Sequence, residues 1–512
     1  MIFDNIYGNI VFGCDCAYKH SRKQKGIIMN RVLENLEPKD VFNFFEDICN
    51  IPHISYHTEL ISDYCEKFAK DRNLRYVRDE AGNIIIYKDA APGYENAPTV
   101  IIQGHLDMVG AKSEDCEHDF LKDPLKLLIE NGYVTADGTT LGADDGVAVA
   151  MSLAILDNTS LKHPPLEVVL TVDEEVGLYG AEAVDASLLK GKYLINLDSD
   201  GEGVFLTGSA GGLDSDLTLN VNMVEFEGQK VELTICNLTG GHSGVEIGTG
   251  RPSANVLMGR LLKELSDFSD YYIISIKGGE VDNAICQKCV AEIAADSDDI
   301  NAISEVCCRV MKELRSEYRG IDDNITIVCN EKEFGTYNVS DDFGQEKIIC
   351  LLRNLPYGVI ARSAYDINLV ETSLNLGVMR FEEGTLHLIY SVRSSIESAK
   401  KEIAGRLEYL TEFLGGTYNE SGDYPSWTYN PDSQLREIIS KTYEKMYGKK
   451  PCFTTIHAGL ECGIFSDKIP GVDIVSYGPN MKDIHTFDEK LSIESTKRVY
   501  EFTLNLLENI RS

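Results

Sequence analysis

Histidine and carboxylate side chains follow short apolar runs at several points of this chain. Thr99–Gln103 reads as a buried strand running into Gly104-His105-Leu106-Asp107-Met108. Residues two apart on extended backbone face one side, so His105 and Asp107 share a face. A histidine with a carboxylate neighbour makes a good metal ligand, because the acceptor fixes the tautomer and raises the ring's basicity. The same pair also suits a satisfied structural histidine. In Gly138–Gly146, Asp144 and Asp145 precede a helix of small residues; each is either an N-cap or a carboxylate ligand at the dipole's positive end. Leu166–Val172 ends in Asp173-Glu174-Glu175. That is either a solvated acidic turn or a ligand cluster at the strand end where open α/β sheets bind. Tyr193–Leu197 leads to Asp198-Ser199-Asp200, and Asp473–Tyr477 is followed by His485-Thr486-Phe487-Asp488.

Each signal is modest alone, but the set is coherent. Two imidazoles and three carboxylates suit two borderline-soft divalent ions such as zinc. Two such cations balance three carboxylates and a hydroxide, whereas one would leave the acidic cluster over-charged. A pair about 3.5–4 Å apart can share a carboxylate and a water, lower that water's pKa and polarise an attacked carbonyl.

These residues need a scaffold. From about residue 75 the sequence alternates strand, loop and helix: Asn83–Tyr87, Thr99–Ile102, Glu167–Val172, Tyr193–Leu197 and Asp473–Tyr477 as strands, Val147–Leu156 as a helix. This predicts an α/β fold with a mostly parallel central sheet. Between Gly212 and Gly415 the pattern becomes alternating strands (Leu217–Val221, Val231–Ile235) and amphipathic helices (Ala254–Leu265, Ile300–Leu314, Ile396–Leu414). The expectation is an extension over residues 1–28, a catalytic domain over 29–211 and 416–512, and an inserted α+β domain over 212–415.

With 48 Lys+Arg against 82 Asp+Glu, the 512 residues carry a formal charge of −34. That argues against a nucleic acid or an anionic membrane as partner, since cationic side chains mediate both contacts. No apolar run approaches the ~18–20 residues that span a bilayer, and no secretory signal is recognisable near the start. The 14 cysteines are then expected as reduced thiols of a cytoplasmic protein; Cys286-x-x-Cys289 lacks the second pair of a zinc finger. No Gly-x-Gly-x-x-Gly follows an early strand, against a dinucleotide-binding oxidoreductase.

Longer stretches carry a family resemblance: Ile51–His57, Gly104–Val109, Thr139–Asp144, Leu238–Gly244 and Ile456–Gly463. From about Ile51 onward the chain resembles aminoacyl-histidine dipeptidases, the Xaa-His or cytosolic nonspecific dipeptidases. These lie within the co-catalytic zinc peptidases that include peptidase T and carboxypeptidase G-like enzymes. The resemblance implies one metal on His105 and Asp198, the other on Glu175 and His485, and Asp144 bridging them through a position followed by a cis peptide. It makes Glu174 the general base and Asp107 the group orienting His105. The inserted domain becomes a lid, and His242, which composition alone makes a surface-loop histidine, becomes a stabiliser of the tetrahedral oxyanion. Arg393 is either a surface arginine or the partner of a substrate carboxylate; Asn283, His457 and Gly459 are further substrate-binding candidates. The implied substrates are small free dipeptides. The implied cofactors are two divalent ions, zinc first, with manganese and cobalt suiting the same ligands; the lid either pairs with that of a second copy or closes over its own site, leaving His242 to serve its own cleft or a partner's. Asp145 stands where close relatives often carry Asn, and residues 1–28 have no counterpart. Two rival readings stay open: an N-acyl amino acid amidohydrolase on the same scaffold, and a non-catalytic metal-binding relative.

Overall fold

Runs such as Ile84-Ile85-Ile86, Val100-Ile101-Ile102, Val168-Val169-Leu170 and Tyr193-Leu194-Ile195 offer no polar face, so as strands they must be covered on both sides. In the computed structural model, which describes residues 31–364 and 367–511, they are. Ile84, Ile86, Val100, Ile102, Val168 and Leu170 enter the core beneath helices Lys39–Cys49, Ala143–Asp157 and Ile493–Asn509. Their neighbours Ile85, Ile101, Val169 and Leu194 enter a smaller cluster with helices Tyr179–Ala183 and Glu461–Lys468. The expected extension over residues 1–28 lies outside the described residues.

The first sheet runs Arg75–Arg78, Ile84–Lys88, Leu166–Thr171, Val100–His105, Tyr193–Asn196, Asp473–Ser476, Val204–Ser209, Cys452–Ile456. The strands starting at Leu166, Val100, Tyr193 and Asp473 form a parallel centre, and antiparallel pairs lie towards the margins. Register fixes the site. His105 pairs with Thr171 and Gln103 with Asn196. The strand ends that lead to His105, Glu174, Glu175 and Asp198 are therefore level with one another.

Helix Ala143–Asp157 is buried along almost its whole length. Its first residues are not helical: Asp144 has φ −84° and ψ 104°, Asp145 φ −115° and ψ 27°, and the peptide between them is cis. Neither carboxylate caps the helix. Both point elsewhere, as described below.

Alternating strands build a second, antiparallel sheet: Thr326–Ser340, Met223–Cys236, Cys289–Ala295, Tyr271–Gly278, Val370–Glu382, Thr385–Ser394, Gly211–Asn220, Thr417–Tyr424, with Gly358–Arg362 beside Val370–Glu382. Leu217, Leu219, Val231, Leu233, Ile273 and Ile293 face a core shared with helices Ala254–Ser266, Ile300–Glu317, Asp342–Asn354 and Glu397–Phe413. Strand Thr417–Tyr424 lies past residue 415, the expected end of the insertion, yet pairs with Gly211–Asn220. Its sequence, TYNESGDY, is polar and mostly exposed, so it carries no apolar period from which a strand is read. The two passages between sheets run side by side: Ser209 and Trp427 exchange N–H···O=C bonds of 2.9 and 3.1 Å.

Cys286 and Cys289 are buried, unpaired thiols. Cys286 Sγ lies 3.2 Å from Asn255 Oδ1 and 3.1 Å from the Lys288 carbonyl. No helix among the described residues is long and apolar enough to cross a membrane.

Candidate metal centre

At the C-terminal ends of the parallel strands, two groups of potential ligands meet at one carboxylate. His105, Asp144 and Asp198 form the first, and Asp144, Glu175 and His485 the second; within each group the ligand atoms lie within 4.8 Å of one another. His105 Nε2 is 3.2 Å from Asp144 Oδ1. On the other side His485 Nε2 is 3.3 Å from Asp144 Oδ2 and 3.0 Å from Glu175 Oε1. Asp144 thus turns one oxygen to each imidazole, with Glu174 beside them in a third grouping with His105 and Glu175.

Electrostatics make this arrangement costly without cations. Burial, then the Asp144 carboxylate, pushes Asp198 well above the usual carboxylate range. Burial also raises Glu174, with Asp198, Glu461 and Glu175 adding repulsion. Burial works against a charged His105, but Asp107 and Asp144 outweigh it and hold the ring well above its ordinary pKa. Asp144 and Glu175 push His485 up to about 10. Protons and divalent cations compete for the same lone pairs here. His105 Nδ1 sits 3.0 Å from the Asp107 carbonyl. A proton held on Nδ1 leaves the Nε2 lone pair facing a carboxylate oxygen, a geometry that a cation between them satisfies. The donor set, two imidazoles and carboxylates around a shared Asp144, fits two N/O-ligated divalent ions.

Asp107 does more than the sequence suggests. It is 1% exposed. The carbonyl of Asp107 makes the closer contact with His105, its Oδ1 lying 3.5 Å from Nδ1. The carboxylate instead accepts the N–H of Glu174 at 3.0 Å, the N–H of Glu175 at 3.3 Å and the Ser55 hydroxyl at 2.8 Å. It therefore holds the backbone of the acidic turn. Asp145 is fully buried; its Oδ2 accepts the His105 N–H at 3.1 Å, and burial, then Asp198, raises its pKa.

The remaining candidates gather in a second cluster at the junction with the other sheet. His242 pairs with Ala284 in a short ladder, and its Nδ1 accepts the N–H groups of Gly244 and Val245 at 3.2 Å each. That leaves Nε2 as the protonated, donating nitrogen. Burial, then Arg393, lowers its pKa. Arg393 donates to the Tyr424 hydroxyl at 2.9 Å, while its Nε is buried without a partner. His457 Nε2 lies 2.7 Å from Ser373 Oγ. Gly459 presses on the Tyr424 ring, where a Cβ would come within 2.8 Å of Cε2. The Asn283 carbonyl accepts the Ser243 N–H at 2.9 Å, anchoring the loop. These hydrogen bonds run to the residues' own loop and to the second sheet, to Gly244, Val245, Ser243, Ser373 and Tyr424, and not to the His105–His485 cluster.

Three residues of these sites carry no local sequence signal. Glu461, fully buried, accepts the Thr171 hydroxyl at 2.8 Å and a hydrogen bond from Gln103 Nε2, beneath the first cluster. Glu489 binds the loop that carries Asp144. Tyr424 joins Arg393 to Gly459. Each is a single polar residue whose spacing carries no pattern, and its role shows only in long-range contact.

Residues 101–509 match the family described as Peptidase family M20/M25/M40. The chain is 37% identical over 484 residues to the cytosol non-specific dipeptidase of Escherichia coli (strain K12), spanning 93% of this chain and 99% of that protein. The crystal structure of aminoacylhistidine dipeptidase from Vibrio alginolyticus matches with a TM-score of 0.88 at 37% identity, over 94% of this chain and 98% of that one. Aminopeptidase PepT from Bacillus cereus ATCC 10987 shares the fold, at 16% identity and a TM-score of 0.53 over 93% and 99% of the two chains. By sequence and by architecture alike, this chain belongs to peptidase family M20/M25/M40.

Proposed function

We propose that the protein is a cytoplasmic di-metal dipeptidase that hydrolyses small, free-amine dipeptides, Xaa-His among them. The observation that carries the reading is Asp144 shared between two ligand groups, with Glu174 alongside. The likeness to two named dipeptidases at 37% identity supports the substrate class.

In this reading His105 and Asp198 would hold one divalent cation and Glu175 and His485 the other, with Asp144 belonging to both ligand groups. Zinc is the first expectation, manganese and cobalt the alternatives. The chemistry such cations would supply is Lewis acidity towards a water and the scissile carbonyl. Glu174, raised by burial and neighbouring carboxylates, takes a proton from the attacking water and hands it to the departing amine, the double duty of a general base and acid. Asp107 holds Glu174 in place through its backbone N–H. His242 donates from Nε2 to the developing oxyanion once the second sheet approaches the first. Arg393 takes the dipeptide's terminal carboxylate, its unpartnered Nε being one free donor.

The test is Glu174→Gln. Turnover of a dipeptide panel falls about 10²–10⁴-fold while elemental analysis still finds two metals per chain. Retained turnover would remove Glu174 from the mechanism. Faster hydrolysis of N-acyl amino acids than of free dipeptides would move the assignment to an amidohydrolase.

A further inference from the structure

One buried carboxylate ties the loop of Asp144 to the loop of His485. Glu489 is 2% exposed and accepts four consecutive backbone N–H groups. Its Oε2 takes those of Leu141 at 2.8 Å and Gly142 at 3.1 Å; its Oε1 takes those of Ala143 at 2.9 Å and Asp144 at 3.3 Å. Such convergence needs a tightly curled chain, and Gly142 supplies it with φ +65° and Met108 packed close above its Cα. Glu489 is itself fixed. Its carbonyl accepts the Thr135 hydroxyl at 2.8 Å, its N–H reaches the Thr486 carbonyl at 3.2 Å, and Lys490–Ser492 pairs with Tyr133–Ala136.

The same two loops present Asp144 Oδ2 and His485 Nε2 to each other at 3.3 Å. We infer that Glu489 is a positioning residue of the metal centre: by gripping the backbone of residues 141–144, it sets the separation between Asp144 and His485. The inference rests on the two-metal reading above. The grip is on main-chain groups, so no side chain at positions 141–144 can replace it, and only a carboxylate offers two acceptor oxygens to four donors. An amide of the same size turns an N–H₂ towards N–H groups and leaves buried donors unsatisfied. Aspartate keeps the charge but is one methylene too short to span all four.

A matched control exists. Glu167 is 5% exposed and also accepts backbone N–H groups, those of Lys190 at 2.8 and 3.1 Å and of Gly191 at 3.0 Å. It stands at the end of strand Leu166–Thr171 remote from the ligands. The experiment compares the full-length parent, E489Q, E489D and E167Q. Each is stripped with chelator and titrated with zinc alone against a chromophoric competitor, with thermal melts and dipeptide kinetics in parallel.

For E489Q the Kd of the weaker zinc rises about 10–100-fold. Its kcat falls while KM stays within about threefold. E167Q lowers the melting temperature and leaves both zinc constants at the parental values. Should E489Q fail to fold, E489D carries the test, with weakened zinc binding again expected. Parental zinc affinity in the folded variant, with only the melting temperature lowered as in E167Q, overturns the inference. A parent that takes up no zinc overturns the two-metal reading and this inference together, and that result is visible before any variant is compared.

Discussion

His457 Nε2 and Ser373 Oγ stand 2.7 Å apart across the junction of the two sheets, one just past strand Cys452–Ile456 and the other within Val370–Glu382. Burial, then Arg393, pushes the His457 imidazole down to about 4, against about 6.5 in an unfolded chain. Between those values the unfolded state binds the extra proton, so stability rises with pH there. The contribution is complete above about 6.5 and is lost as pH falls towards about 4. The parent therefore loses up to about 2 kcal/mol more than His457→Asn between pH 7 and pH 5. Denaturation midpoints of the two chains in chelator measure this, and equal slopes would exonerate His457.

Cation removal has a signed effect as well. Asp198 and Glu174 are raised, and Asp144 faces both histidines, so the stripped chain holds buried polar groups and protons where cations would sit. Each divalent ion supplied at a hundred times its Kd adds about 2.7 kcal/mol of stability. Calorimetry before and after chelation should show a melting temperature that falls and then recovers with added zinc. A melting temperature indifferent to metal would contradict two structural-strength sites.

Asp107→Asn replaces an acceptor of the Glu174 and Glu175 N–H groups with a group that can satisfy only one of them. Metal affinity and kcat are each expected to drop about 10–100-fold, with KM little changed. Zinc titration and steady-state kinetics check this. A variant of parental affinity would mean that the acidic turn holds itself.

Arg393→Met removes the guanidinium that meets Tyr424. A charge-assisted hydrogen bond to substrate contributes about 1.5–3 kcal/mol. KM for dipeptides should therefore rise about 10–100-fold, while the zinc constants hold. Dipeptides amidated at the C-terminus should lose the difference between parent and variant. If both chains discriminate alike, the carboxylate is bound elsewhere.

Much of the first sheet could be read in the sequence because its strands are continuous apolar runs, and doubly covered parallel strands have to be. His105, Glu175 and Asp198 stand out for the same reason, as the residues at which such runs stop. Asp144 was visible only as one of two carboxylates at a helix start. Its cis peptide followed from resemblance and not from any period. Strand Thr417–Tyr424 was illegible because an exposed edge needs no alternation, and TYNESGDY reads as a loop. Glu461 and Glu489 are single acids among 82 Asp+Glu. What distinguishes them is burial against donors far away in sequence, side-chain groups for Glu461 and backbone N–H groups for Glu489, which no local pattern encodes.

The paired passages at Ser209 and Trp427 have a mechanical consequence. Because the two segments are hydrogen-bonded to each other in both directions at this point, a swing of the antiparallel sheet would have to bend them together there. Relative twisting would have to break both hydrogen bonds of that single bridge. Arg393, His242 and Ser373 all belong to the stretch of chain between those two passages, so a swing about them would carry the three together.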